Sequence, residues 1–339
     1  MTSEILNSSK SCLNRIQEQN MGSETEQNNM IPVIDFSEEN LKPGSDSWAS
    51  ASKQVVYGLE EYGCVEIVYD KFPVQLHKSI FDAAKQVFNL PEEAKMQKVS
   101  DRPDPSSYIV LNPGDDAPLY ENIAIDNPTT LQGAESFTNI MWPQGNQTFR
   151  ESVMSFSKRL AEMYETVMRM VFEKYGVEEL FESFGNSSFH LLRLIKYKAR
   201  QMGDTDVGLR GHTDSTIITI LHQNEVPGLQ IQTKDGHWIA VKPSTSSFVV
   251  IAGDGLKAWS NDRVRGCEHR VMILENKERY SVALFTFIKG VIHVPEEFVD
   301  DEHPLRYEPF DHFAYNRYYL SREAQNSSVR RNIKSFCGI

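Results

Sequence analysis

From residue 186 onward the chain becomes a succession of short runs rich in β-branched and aromatic residues, at 189–198, 215–222, 229–233, 237–241, 248–252, 268–274 and 279–288. Turn-forming residues separate them, and strands this short and this numerous bury their faces only by closing into a sandwich or barrel. Lys234-Asp235-Gly236 marks one hairpin, because Asp-Gly supplies positive φ at low cost between two alternating runs.

The first half reads differently. Residues 31–36 alternate apolar side chains as a short opening strand, and 63–68 forms another. Helical spacing runs through 47–62 and 73–89, the latter started by Pro73 and stopped at Leu90-Pro91. The stretch 100–145 carries Pro103, Pro105, Pro113 and Pro118 among Asp, Asn and Gly, which predicts mostly loop with short strands. Between 147 and 175, Val153, Phe156, Leu160, Met163, Val167 and Met170 form the buried stripe of a long helix. The expected divisions are a disordered leader at 1–30, a helix-and-strand region at 31–185, a β domain at 186–320 and a C-terminal tail at 321–339. Met21 offers an alternative start within the leader.

A net charge of -12 repels nucleic acid and anionic lipid, and no apolar run approaches the ~20 residues needed to span a bilayer. Cys12, Cys64, Cys267 and Cys337 lie far apart with no CxxC pair, as in a protein that keeps reduced thiols. These features point to a cytoplasmic monomer that handles a small molecule.

His212-Thr213-Asp214 sets an imidazole and a carboxylate two residues apart, where an extended backbone turns both to one face. Taken alone, such a pair is also what a turn with an Asp cap looks like. His269, on a later strand, completes a possible set of two histidines and one carboxylate, which leaves three coordination positions free and suits non-haem Fe(II) with oxygen. Ten residues further, Arg279 and Ser281 form another same-face pair. A guanidinium fork and a hydroxyl hold a carboxylate, as 2-oxoglutarate would require while its keto-acid end chelates iron. Tyr197 ends an alternating face with Phe189, Leu191, Arg193 and Ile195; its phenol is placed either to assist the cosubstrate or to fill the core.

Several ordered motifs carry a family resemblance: IPVIDF at 31–36, FNLPEEAK at 88–95, GHTDSTIITIL at 211–221, PGLQIQTKDGHWIAVKP at 227–243 and EHRVMILENKERYSVALF at 268–285. In these the chain resembles the plant Fe(II)- and 2-oxoglutarate-dependent dioxygenases from about residue 31 to the C-terminus. LLRLIKYK at 191–198 and the closing KSFCGI make it similar to the AOP-type branch, which is named for enzymes that tailor glucosinolate side chains but reaches far beyond glucosinolates and so fixes no substrate. The resemblance implies a double-stranded β-helix, or jelly roll, with flanking N-terminal and central helices. It implies iron at His212, Asp214 and His269, cosubstrate at Arg279, Ser281 and Tyr197, O2 as oxidant and ascorbate as reductant. Two departures stand out: Ile195-Lys196-Tyr197 replaces the family's Asn-Tyr-Tyr, and Ser260-Asn261-Asp262 replaces its Ser-Asn-Gly turn. Asp214 argues against halogenation, since family halogenases lack that carboxylate.

The expected reaction is oxidation of a small plant specialised metabolite or hormone-like compound, by default hydroxylation, with succinate and CO2 released. Desaturation, ring closure and O-demethylation are alternatives. Phe285 and Phe287, on the strand face of Arg279 and Ser281, are expected to line the pocket, joined by Arg193, Phe137 and Trp259 near its mouth. An apolar pocket with one arginine suits a lipophilic scaffold bearing an acid or several oxygens. Rival readings are a zinc hydrolase using the same three ligands and a catalytically silent binding protein.

Overall fold

The computed structural model describes residues 30–36, 41–69, 72–97, 108–110, 119–201, 203, 205–320 and 332–339. The leader expected at 1–30 falls outside these residues except for Met30, as does 321–331 of the expected tail.

The first strands are β1 (Val33–Asp35), β2 (Cys64–Val68), β3 (Tyr108–Val110) and β4 (Tyr120–Asp126). Helix α1 (Asp46–Glu61) precedes β2, and α2 (Val74–Phe88) follows it. Ser45 caps α1 by accepting the Trp48 amide at 3.1 Å, satisfying a donor that the first turn leaves free. Next come α3 (Leu131–Met141) and the 29-residue α4 (Gln147–Tyr175). Asn146 caps α4 at its start, and Gly176 ends it at φ 70°, a left-handed turn that glycine adopts without strain.

The second half supplies β5 (Ser188–Tyr197), β6 (Val207–His212), β7 (Ile218–Gln223), β8 (Leu229–Gln232), β9 (Trp238–Ala240), β10 (Ser247–Ala252), β11 (His269–Met272) and β12 (Arg279–Ile288). Helix α5 (Asp254–Trp259) follows β10, and a two-stranded pair, β13 (Val291–Ile292) and β14 (Phe310–Asp311), precedes α6 (His312–Leu320). Part of the expected tail forms α7 (Ile333–Cys337), whose Ile333 is fully buried.

Eight strands make one sheet in the order β1-β2-β10-β7-β12-β5-β4-β3, and four make a second in the order β6-β11-β8-β9. One apolar cluster draws Ile195, Leu221, Val249 and Ala283 from the first sheet and Leu229, Ile231 and Val271 from the second. The two sheets therefore face each other across a shared core, the jelly-roll arrangement. A larger cluster buries the other face of the eight-stranded sheet under α1, α2 and α4, including Leu59, Ile80 and Phe156.

The main sheet takes strands from both sides of residue 186, so the N-terminal region builds both of its edges. Two elements differ from the sequence reading. The stretch 100–145, expected as mostly loop with short strands, contains the strands β3 and β4 but also the helix α3, begun by Thr130, whose hydroxyl accepts the Gly133 amide at 3.0 Å. All five central residues of β4 are buried, so no alternation of exposed and buried positions marks the strand. Strand β6 lacked a signal because it carries Gly208 and Gly211, residues depleted in strands. A Cβ at Gly208 would lie 2.8 Å from Ile273, so close packing explains the glycine.

Candidate active site

Strands β6 and β11 pair antiparallel with His212 opposite His269, and their rings stand 4.3 Å apart between centroids. Asp214 follows β6 in the turn to β7, its backbone held by the Asp254 amide, which donates to the Asp214 carbonyl at 2.7 Å. Its Oδ1 lies 3.6 Å from His212 Nε2 and 4.0 Å from His269 Nε2. One ligand atom from each of the three falls within 4.8 Å of the others, a spacing that a single ion can bridge.

The tautomers follow from backbone partners. His212 Nδ1 donates to the Arg210 carbonyl at 2.8 Å, and His269 Nδ1 donates to the Cys267 carbonyl at 3.1 Å. Each ring thus turns its Nε2 toward the site, available as a lone pair once the ring is neutral. Thr219 donates to Asp214 Oδ2 at 2.6 Å, which leaves Oδ1 turned toward the histidines. Burial, aided by neighbouring His269, holds His212 down at about 4. Burial acts the same way on His269, but there the Asp214 carboxylate and Cys267 outweigh it and raise the group to about 9. A metal must displace that proton to bind.

Arg279 and Ser281 lie on β12, both 1% exposed. Arg279 pairs with Tyr197 across β5, and its guanidinium stands 5.0 Å from the centre of the Tyr197 ring. Its Nη2 donates to Gln223 Oε1 at 2.7 Å, while Nε and Nη1 are buried without hydrogen-bond partners. A buried cation with two unsatisfied nitrogens is costly unless an acceptor completes it. The donor set fits iron, and the open guanidinium fits the far carboxylate of 2-oxoglutarate. Burial raises the Tyr197 phenol above its usual range, so it stays a hydroxyl able to donate.

His212, Asp214, Thr219, His269, Arg279, Ser281 and Tyr197 line one cavity of about 310 Å³ between the sheets. Phe285, Phe287 and Arg193 line it too. Phe137 and Trp259 do not, which corrects the sequence reading. Phe137 stacks on Phe149 at 5.7 Å, and Trp259 stacks on Phe172 at 4.7 Å, both within the helix-covered core behind the main sheet. Apolar spacing looks alike in a core and in a pocket, so sequence alone did not separate them.

The reading also missed Tyr120 and Asn122 of β4, Gln223 beside Arg279, and Asn316 and Tyr319 of α6. Asn316 accepts from Ser215 at 2.7 Å, and Tyr319 donates to the Thr213 carbonyl at 2.7 Å, so α6 braces the turn that carries Asp214. Polar residues at i and i+2 in β4 were the available signal.

With this geometry in place, comparison with known proteins is direct. The profile of the 2OG-Fe(II) oxygenase superfamily matches residues 188–288, and that of the non-haem dioxygenase in morphine synthesis N-terminal region matches 31–119. A probable 2-oxoglutarate-dependent dioxygenase, AOP1.2 of Arabidopsis thaliana, is 41% identical over 85% of this chain and 90% of its own length. The chain belongs to this family of 2-oxoglutarate-dependent dioxygenases, enzymes whose cofactors are Fe(II) and 2-oxoglutarate. Within it the likeness is to the AOP branch. Among solved structures, a rice dioxygenase for auxin oxidation superposes with TM-score 0.73 at 27% identity, covering 87% of this chain and 96% of its own. Its Arabidopsis thaliana counterpart, in binary complex with 2-oxoglutarate, gives TM-score 0.71 at 25% identity over 81% of this chain and all, 100%, of its own.

Proposed function

We propose that His212, Asp214 and His269 ligate the iron, that Arg279 with Ser281 clamps the distal carboxylate of 2-oxoglutarate, and that Tyr197 assists the clamp. The substrate in this reading is a small plant specialised metabolite or hormone-like compound, and the outcome is hydroxylation. The auxin-oxidising relatives support a substrate of that size. The observation that carries the assignment is the pairing of a three-ligand cluster with a buried guanidinium lacking two partners in one cavity.

Iron bound at this site supplies the oxidising chemistry, coupling O2 reduction to decarboxylation of 2-oxoglutarate into succinate and CO2. The chain's own part is positional. Thr219 and the Arg210 and Cys267 carbonyls fix the ligands before the metal arrives. Arg279 orients the cosubstrate, while Leu209, Ile251, Val271, Phe285 and Phe287 keep the walls apolar and limit water. The same iron chemistry gives desaturation, ring closure or O-demethylation if the bound substrate presents different atoms.

In this reading residues 186–320 form the catalytic domain, 31–185 the supporting region, 1–30 a leader and 321–339 a tail. The enzyme works as a cytoplasmic monomer without nucleic-acid or membrane partners, and ascorbate keeps its iron reduced. No helix among the described residues is long and apolar enough to cross a membrane. Cys64, Cys267 and Cys337 are free thiols, which accords with a reducing compartment.

The test is anaerobic titration with Fe(II) and then 2-oxoglutarate, followed by the weak visible charge-transfer band of the chelated keto acid. The band is expected in the native chain and absent in Asp214→Ala. If the native chain never forms it, the zinc-hydrolase or silent-binder reading replaces this one.

A further inference from the structure

A second guanidinium faces the cavity. Arg193 lies on β5, four residues before Tyr197, and its Nη1 donates to Asn122 Oδ1 at 2.6 Å. Its charge also stands 5.4 Å from the centre of the Phe285 ring. Asn122, on neighbouring β4, is fully buried. Because its oxygen is taken by Arg193, its amide nitrogen faces elsewhere, and that Nδ2 has no hydrogen-bond partner. A buried donor left without an acceptor is costly, so a ligand that accepts from it is favoured.

The Tyr120 phenol lies beside this pair, and no acidic side chain among the described residues neutralises Arg193. Asp214 is the one acidic residue lining it among the described residues, and Thr219 and the two histidines engage that carboxylate. Arg193, the Asn122 amide and the Tyr120 hydroxyl therefore form a receptor for an anion that the chain does not supply. Arg279 is a separate cation four pairs along the ladder, at its end: it pairs with Tyr197, whereas Arg193 pairs with Ala283.

The register also places the receptor relative to the iron ligands. Thr219, bonded to Asp214, is on β7; β12 separates β7 from β5, which carries Arg193. Two strand spacings, about 10 Å at the backbone, thus divide the ligand-bearing side from the anion receptor. Ala283 and Phe285 of β12 and Leu221 of β7 lie along that span and line the cavity. A cavity of 310 Å³ sits at the low end of small-molecule sites, which run about 300–1,000 Å³, and the cosubstrate takes part of it.

We propose that the substrate is a small carboxylic acid with an apolar body of one or two rings, its carboxylate bound by Arg193 and Asn122 and its oxidised carbon several bonds away. This rests on the dioxygenase site assigned above and deepens it.

The experiment uses the full chain loaded anaerobically with Fe(II) and 2-oxoglutarate. Phenylacetic, 3-phenylpropanoic, cyclohexaneacetic and 2-naphthylacetic acids are each compared with their methyl esters, by perturbation of the charge-transfer band. At least one acid is expected to bind about tenfold or more tightly than its ester, equivalent to about 1.4 kcal/mol. Arg193→Met should remove that preference while the band itself still forms, and Arg193→Lys should restore part of it. The proposal is overturned if every pair differs by less than about tenfold, or if the preference survives in Arg193→Met. The wild-type comparison needs no variant, so misfolding cannot hide the answer. A wild-type chain that never forms the band fails the site assignment instead, a result distinct from acids and esters binding alike.

Discussion

Replacing Arg279 with Met isolates what the buried guanidinium does. Arg279 is 1% exposed, with Nη2 bonded to Gln223 and two nitrogens unpartnered. Met keeps the stem's apolar contacts, relieves an incompletely paired buried cation, and leaves Gln223 Oε1 unsatisfied at about 1–3 kcal/mol. These effects oppose each other, so the ligand-free stability should change little. Binding should change greatly: losing one partner of a buried charged pair costs about 2–5 kcal/mol, or roughly 30- to 5,000-fold in Kd. With 2-oxoglutarate at 100 times the wild-type Kd, wild type gains about 2.7 kcal/mol of stability from the ligand, and the variant less than about 1 kcal/mol. Denaturant unfolding under nitrogen, with Fe(II) and with or without 2-oxoglutarate, measures both. An equal ligand-induced gain in the two proteins would refute the clamp.

Three further outcomes are expected. Thr219→Val removes the hydroxyl that holds Asp214 Oδ2 and should weaken Fe(II) binding about 10- to 100-fold in chelator competition, with the fold unchanged by circular dichroism. Gly253→Ala places a Cβ 2.1 Å from the Thr216 carbonyl, beside the Asp214 turn, so it should destabilise the protein by about 1–3 kcal/mol in urea unfolding and lower its iron content. His222, buried in a nest of Phe72, Phe81, Phe156 and Phe248, is held down at about 3 by burial and by His77. Its folded value lies below the unfolded 6.5, so its contribution is whole above pH 6.5 and is lost as pH falls toward 3. His222→Phe should therefore flatten the acid side of the stability profile by about 1.4 kcal/mol per pH unit between 6.5 and 5, relative to wild type.

How far the sequence could be read depended on whether each strand had one wet face or none. Strand β12 spans the expected 279–288, and α4 the expected 147–175, because each carries a long unbroken pattern. Strand β7 was expected from 215 but starts at Ile218, since the preceding residues make the turn that carries Asp214. Strand β4 falls in a stretch expected to hold short strands, but its place there was not legible because its neighbours in sequence are turn-formers and both its faces are covered. The three candidate ligand residues, His212, Asp214 and His269, stood out in the sequence by chemistry and spacing, and the structure brings them together. The Asn122–Arg193 pair did not stand out, because it joins positions 71 residues apart through a strand that sequence had not located. Trp259 and Phe137 misled for the opposite reason: large apolar side chains carry no mark of which side of a sheet they will occupy.

The order of the eight-stranded sheet has a consequence for how the molecule is made. Strand β12 lies at its middle, bonded to β7 and β5, yet it is the last of the eight to leave the ribosome. Strand β2 must likewise wait for β10, whose Val249 pairs with Glu66 across most of the chain. Until residue 288 emerges, β5 and β7 expose open edges that invite pairing with other chains. Such long-range closure is slow. A nascent chain stalled before β12 should therefore remain protease-sensitive and chaperone-bound, and folding of the oxidising centre should await completion of the sheet that supports it.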